Sequence, residues 1–136
     1  MPDIVFLDHR AVVQIHTDQI ERYGGSPEVR DPGLLDSAIA AIEASYEGVF
    51  LHESLPAMGA AYMYHLIQNH PFVDGNKRTG SMCAIVFLNL NQADLDASNE
   101  QLAELAYSIA AGVLTKAQVT EQIEKMVVAY NPGSET

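Results

Sequence analysis

Apolar residues recur every three or four positions in several segments of this 136-residue chain, which is the spacing of one face of an α-helix. Residues that favour helix starts precede these segments, with Asp or Ser as the cap and Pro in the first turn. The three N-terminal helices are expected to run from Asp8 to about Tyr23, from Asp31 to about Ser45 and from Ser54 to about Asn69. Gly24-Gly25 is expected to stop the first of them.

The C-terminal half continues the helical pattern. A segment that is apolar nearly all round comes first, as is typical of a helix buried inside a bundle. Capping-box patterns at Ser98–Gln101 and Thr115–Gln118 start two further helices. These three helices are expected to end at about Asn91, Ala111 and Tyr130. The pattern predicts an all-α, compact bundle of about six helices in a single domain over residues 1–136, with a frayed tail at 131–136.

Residues 46–53 do not fit the helical pattern. Val49-Phe50-Leu51 is compatible either with a short extended segment or with a flap over the bundle.

Charge and cysteine content exclude several classes of protein. A net charge of -11 argues against a nucleic-acid or anionic-membrane surface, since phosphate contacts need clustered Lys and Arg. No apolar stretch is long enough for a membrane span, and the first residues lack the pattern of a signal peptide. The single Cys83 lies in an apolar run, where we expect core packing, and one cysteine fits a reducing cytoplasm.

A polar stretch separates the third predicted helix from the apolar fourth one, and its second half suits an anion. The first backbone N–H groups of a helix, here near Asn76 to Thr79, have no intrahelical partners and attract anions together with the helix dipole. Gly75 allows a close backbone approach, while Lys77 and Arg78 add positive charge. Asn76 could either orient a phosphate or hold the loop.

The first half of the stretch adds acid–base and metal chemistry. His70 could accept a proton from an attacking hydroxyl, and Asp74 offers the hard oxygen that Mg²⁺ prefers. Phe72 is expected to pin the loop to the core. We therefore interpret the stretch as a nucleotide phosphate site with a general base beside it.

Simpler interpretations exist for each residue taken alone. His70 could be a structural hydrogen bonder, Asp74 a helix cap, and Lys77 with Arg78 solvated surface charges. The presence of all of them on one loop favours the functional interpretation. We expect packing or local hydrogen bonding for His65, surface or partly buried positions for His9 and His16, and assign no role to His52.

The stretch resembles the signature of the Fic family, H-x-F-x-[DE]-G-N-x-R-x-x-R, in its death-on-curing (Doc) form, H-x-F-x-D-x-N-K-R-T. The matching residues are His70, Phe72, Asp74, Asn76, Lys77, Arg78 and Thr79. Arg22–Gly25 followed by Asp31–Leu35 also resembles the N-terminal part of Doc-type chains. The likeness covers roughly residues 5 to 130 and implies the Fic/Doc fold.

The resemblance also implies an activity. Fic proteins that transfer AMP carry a second Arg three positions after the first, and Ser81 occupies that position here. In the Doc branch this pattern goes with a toxin that transfers the γ-phosphate of ATP to a protein hydroxyl, with elongation factor Tu as the known target. His70 would then be the base, Asp74 would hold Mg²⁺, and residues 75–78 would bind phosphates. AMP transfer and a catalytically silent binding module remain the alternatives.

Regulation is the last expectation from the resemblance. Fic relatives are commonly inhibited by a helix carrying [ST]-x-x-x-E-[GN]; here Thr120 and Glu124 have the spacing, but Lys125 stands where Gly or Asn should follow. We therefore expect inhibition in trans by an antitoxin whose segment is disordered when free and folds as an amphipathic helix in an apolar groove. The exposed flank of the bundle and the 46–53 segment are candidate docking surfaces.

Overall fold

The computed structural model describes residues 4–46, 49–50 and 54–130 and forms a helical bundle, which confirms the predicted fold class. Its helices are α1 His9–Tyr23, α2 Pro32–Glu43, α3 Leu55–Asn69, α4 Asn76–Leu90, α5 Asn99–Ala110 and α6 Lys116–Met126. Its short strands are β1 Ser45–Tyr46, β2 Val49–Phe50, β3 Ala93–Leu95 and β4 Val127–Ala129.

The predicted helix caps are formed. The side chains of Asp8, Asp31 and Ser54 each accept a hydrogen bond from the backbone N–H three residues later. Both capping boxes, at Ser98–Gln101 and Thr115–Gln118, have the two reciprocal hydrogen bonds. Local capping chemistry therefore determines where five of the helices start.

The prediction that the last helix reaches Tyr130 is wrong, because α6 ends at Met126 and the chain continues as β4. This strand pairs antiparallel with β3, so that Ala93 lies opposite Ala129. β-Branched Val127 and Val128 suit a strand, and the partner strand lies more than thirty residues earlier in the chain. The predicted helix pattern gave no sign of β3.

The second helix ends at Glu43 rather than at Ser45, since Ser45 already belongs to β1. β1 and β2 pair antiparallel, with Tyr46 opposite Val49, which favours the extended interpretation of this part of the 46–53 segment. Residues 47–48 and 51–53, including His52, lie outside the described residues, and so does the tail 131–136 for which fraying was predicted.

The core is built around α3 and α4, the two helices that the polar loop connects. A Cβ atom on Gly80 of α4 would lie 2.9 Å from Cγ1 of Ile67 and 3.2 Å from the carbonyl oxygen of Met63, so the two helices touch at this point. Cys83 is fully buried, as expected, and burial raises the pKa of its thiol. The polar loop therefore starts and ends on closely packed helices.

Among the described residues, each helix is too short or too polar to cross a membrane.

Candidate active site

His70 ends α3 in a backbone conformation that residues other than glycine rarely adopt. It has φ 50° and ψ 54°, in the left-handed region. The guanidinium group of Arg30 holds the chain there: its Nε donates to the His70 carbonyl at 2.8 Å and its Nη2 donates to the Asn69 carbonyl at 3.2 Å. Carbonyls at a helix C-terminus have no intrahelical partners, so Arg30 completes the end of α3. The His70 side chain remains exposed.

Backbone hydrogen bonds fasten the loop to the segment before α2. The Pro71 carbonyl accepts from the N–H groups of Arg30 at 2.7 Å and Asp31 at 3.0 Å. The Val73 N–H donates to the Glu28 carbonyl at 3.1 Å. Phe72 lies between these contacts, in an antiparallel bridge with Val29. One edge of the loop is thus hydrogen-bonded to the neighbouring segment in the way that a short antiparallel strand would be.

Phe72 and Asn76 fix the loop to the interior. The Phe72 side chain is fully buried, which confirms the predicted apolar pin. The Asn76 amide accepts from the Phe72 N–H at 3.0 Å and donates to the Phe72 carbonyl at 2.9 Å. Of the two roles considered for the Asn76 side chain, holding the loop is therefore the one it performs in this structure. A contact of Asn76 with phosphate stays a prediction.

His16 was predicted to be a surface or partly buried residue, and this is wrong, because its side chain is fully buried beneath the loop. The imidazole stacks on Phe72, with ring centroids 3.7 Å apart and an angle of 6° between the rings. Its Nε2 lies 2.8 Å from the Asp74 carbonyl oxygen. A signal was available in the sequence, since His16 stands four residues from both Val12 and Ile20 on the apolar face of α1.

The hydrogen bond determines the protonation of His16. A carbonyl oxygen can only accept, so Nε2 carries the proton, while Nδ1 is buried without a hydrogen-bond partner. A second proton on Nδ1 would place an unpaired charge in the core. Burial accordingly lowers the pKa of His16, and the positive charge of Arg78 lowers it further, although the bond to Asp74 acts in the opposite direction. The ring is neutral around pH 7.

Asp74 presents an exposed carboxylate whose Oδ2 accepts from the Ser26 N–H at 2.8 Å. Within the described residues, no three His, Cys, Asp or Glu side chains lie close enough together to hold a metal ion. Mg²⁺ commonly takes one or two carboxylates together with substrate phosphates and water. The role of Asp74 as a Mg²⁺ ligand stays a prediction.

Helix α4 starts without a side-chain cap. Gly75 is its N-cap residue, with φ 81°, and the first intrahelical bond runs from the Thr79 N–H to the Gly75 carbonyl at 2.9 Å. The N–H groups of Asn76, Lys77 and Arg78 precede that bond and have no intrahelical partner. This arrangement is suited to an anion such as phosphate.

A cavity of about 160 Å³ lies at this helix end. Its lining includes five of the six predicted site residues: His70, Asp74, Gly75, Asn76 and Lys77.

Arg78, the sixth predicted site residue, lines a different cavity. Its Nη2 donates to the Gly24 carbonyl at 3.1 Å, and its guanidinium lies over the Tyr23 ring at 5.3 Å. The role of Arg78 in phosphate binding remains a prediction.

Fold and site together define a helical domain in which a polar loop leads into the central helix, with a histidine and a carboxylate beside an uncapped helix start. The chain belongs to the Fic/DOC family, whose model matches residues 6–88.

Two relatives are similar to this chain over different lengths. It is 31% identical over 117 residues to "Protein kinase doc" of Escherichia phage P1, covering 85% of this chain and 90% of the relative. It is 44% identical over 75 residues to "Toxin Doc" of Mycolicibacterium smegmatis, covering 55% of this chain. The latter match spans only 58% of the relative's length.

The neutral state of His16 predicts a pH-dependent contribution to stability. The unfolded chain takes up a proton on this ring near pH 6.5, whereas the folded protein does so only at a lower pH. The neutral ring therefore makes its full contribution to the free energy of unfolding above pH 6.5. As the pH falls from 6.5 toward the lower pKa of the folded protein, this contribution decreases by at most about 1.4 kcal/mol per pH unit. Urea unfolding of the wild type and of His16→Gln between pH 5 and 8 measures this.

The difference in free energy of unfolding between the wild type and His16→Gln should become smaller below pH 6.5, since all other titrating groups are common to both proteins. A difference that stays constant over this range would mean that His16 is not held neutral.

Proposed function

We propose that this protein is the toxin of a type II toxin–antitoxin pair that transfers the γ-phosphate of ATP to a hydroxyl group of a protein in the cytoplasm. Elongation factor Tu is the expected target, and translation would stop as a result. The proposal depends mainly on one observation: His70, Asp74 and Lys77 together line the cavity at the start of α4. The names of the relatives "Toxin Doc" and "Protein kinase doc" support the coarser part of this proposal, a toxin with kinase activity.

In the proposed reaction, the free N–H groups at the start of α4 and the ammonium group of Lys77 bind the terminal phosphate. His70 accepts the proton of the target hydroxyl as its oxygen attacks the γ-phosphorus. The bond between that phosphorus and the bridging oxygen breaks, and ADP leaves. Mg²⁺ held by Asp74 would neutralise charge on the phosphate oxygens.

The residue at position 81 favours γ-phosphate transfer over AMP transfer. Ser81 stands where AMP-transferring relatives have a second Arg, and its Oγ donates to the Lys77 carbonyl at 2.9 Å within α4. A neutral hydroxyl cannot supply the positive charge with which an Arg at this position would bind further phosphates.

The silent binding module is disfavoured by the exposure of both reactive side chains. His70 and Asp74 are exposed, so neither side chain is needed to fill the core. His70 also has a strained backbone, which is found most often at functional sites.

Replacing His70 should abolish growth arrest on expression. His70→Asn is preferable to His70→Ala, because Asn tolerates the left-handed backbone better. Loss of the base should slow transfer by about a hundredfold or more. His9→Asn is the matched control, since His9 is exposed and paired with Asp36 away from the loop. Full growth arrest by His70→Asn at the wild-type protein level would remove His70 from the mechanism.

The transferred group can be identified with labelled ATP. Purified protein is incubated with elongation factor Tu, or with cell extract, and ATP labelled on either the γ- or the α-phosphate. We expect label on protein from the γ position only, with His70→Asn as the background. Label from the α position would establish AMP transfer instead. No label from either, together with no heat of ATP–Mg²⁺ binding in calorimetry, would favour the silent module.

Inhibition should come from a separate antitoxin rather than from Glu124. This residue is exposed on α6, and Lys125 follows it. Glu124→Gly, and Glu124→Ala as a variant that keeps helix propensity, should both be as active as the wild type in the absence of any partner. A marked gain of activity in both variants would show that the chain carries its own inhibitor.

A further inference from the structure

Arg30 donates hydrogen bonds to the carbonyl oxygens of three consecutive residues where α3 passes into the polar loop. Its Nη2 donates to Asn69 at 3.2 Å, its Nε to His70 at 2.8 Å and its backbone N–H to Pro71 at 2.7 Å. The first two carbonyls lie at the C-terminus of α3, where the helix dipole favours a positive charge. One residue therefore binds the backbone before, at and after His70.

The guanidinium group of Arg30 is used by the backbone and not by a carboxylate. In the part of the chain that the structure describes, the ion pairs join His9 with Asp36 and Arg22 with Asp18. A guanidinium group presents its N–H donors in a rigid planar fork, so it can hold two neighbouring acceptors in a defined geometry. A lysine ammonium group in the same place would supply the charge without this geometry.

The two carbonyls held by the fork determine the backbone conformation of His70. Each peptide unit is planar, so the chain at His70 can rotate only about φ and ψ. The Asn69 carbonyl belongs to the peptide plane before the His70 Cα atom, and the His70 carbonyl belongs to the plane after it. Binding both to one group fixes φ at 50° and ψ at 54°. These two angles set the direction in which the imidazole leaves the chain.

We propose that Arg30 is a positioning residue for His70, which keeps the imidazole at the cavity at the start of α4. The inference rests on the proposed function and deepens it. Arg30 itself does not line that cavity. Other contacts of the loop do not use the guanidinium group, since the Asp31 N–H bonds to the Pro71 carbonyl and the Asn76 amide holds the second half of the loop. Loss of the guanidinium group should therefore release His70 and leave the start of α4 intact.

Arg30→Gln removes the guanidinium group, and because Arg30 is exposed it opens no space in the core. Transfer of γ-label from ATP to elongation factor Tu is measured with both at saturation. We expect kcat to fall by about tenfold to a hundredfold, the scale of a catalytic group misplaced by about 1 Å. The Kd of ATP–Mg²⁺ in calorimetry should equal that of the wild type. A general loss of structure would weaken transfer and binding together.

Two further variants separate position from charge. Arg22→Gln is the matched control, since Arg22 is also exposed but bonds to Asp18 within α1. It should transfer phosphate and bind ATP like the wild type. Arg30→Lys keeps the positive charge and loses the planar fork, so its kcat should lie between those of the wild type and Arg30→Gln.

Nuclear magnetic resonance of the imidazole rings tests the same role without any transfer reaction. The His70 signal can be assigned by its absence from His70→Asn, and it should shift in Arg30→Gln. The signal of His9, which is bonded to Asp36 away from the loop, should stay in place. Both signals should be the same in Arg22→Gln as in the wild type.

The proposal is overturned if Arg30→Gln keeps the wild-type kcat, if its ATP binding weakens as much as its kcat, or if its His70 signal does not shift. A wild-type kcat in Arg30→Lys would also overturn it, because charge alone would then be sufficient. Failure of the proposed function is a different result: the wild type would transfer no γ-label, and the His70 signal would still decide whether Arg30 places the ring.

Discussion

The stack of Phe72 on His16 is the contact on which the arrangement of the polar loop depends. Both side chains are fully buried, and their rings lie 3.7 Å apart. Burial of a Phe side chain contributes about 1.5–3 kcal/mol, and the backbone of this same residue is bonded in both directions by Asn76. The loop cannot lift away from the bundle without exposing the ring and leaving polar groups unpaired. Polar side chains on either side of Phe72 are therefore presented from a fixed backbone.

A fixed loop needs no further ordering when a ligand binds, which is the physical advantage of preorganisation. The left-handed backbone at His70 costs of order 1–3 kcal/mol, and the bonds from Arg30 help to hold it.

The distribution of charge also favours a small anion at the start of α4. The chain carries a net charge of -11, yet Lys77 and Arg78 stand side by side on the first turn of α4, each against a tyrosine ring. A small anion would find a local positive site on an otherwise acidic molecule.

Much of the fold could be predicted from the sequence, because helix periodicity and helix capping are local properties. The caps at Asp8, Asp31 and Ser54 and both capping boxes form hydrogen bonds within three residues of chain. The polar loop could also be predicted from the sequence, since His70, Asp74 and Lys77 lie within eight consecutive positions. In the structure these three residues line one cavity. Residue types and spacing alone therefore determined the bundle and the position of its candidate site.

Only the tertiary structure decided how that site is supported and divided. The partners involved are far apart in the chain: His16 and Asp74 by 58 residues, Arg78 and Gly24 by 54, and Arg30 and His70 by 40. The pairing of β4 with β3 is non-local in the same way, and it ends the last helix early. Periodicity assigns a residue to a face of its own helix but does not identify what packs against that face. The sequence could therefore indicate which groups are candidates for the site, whereas the burial of His16, the bonds from Arg30 and the position of Arg78 outside the cavity at the start of α4 depended on how the helices pack.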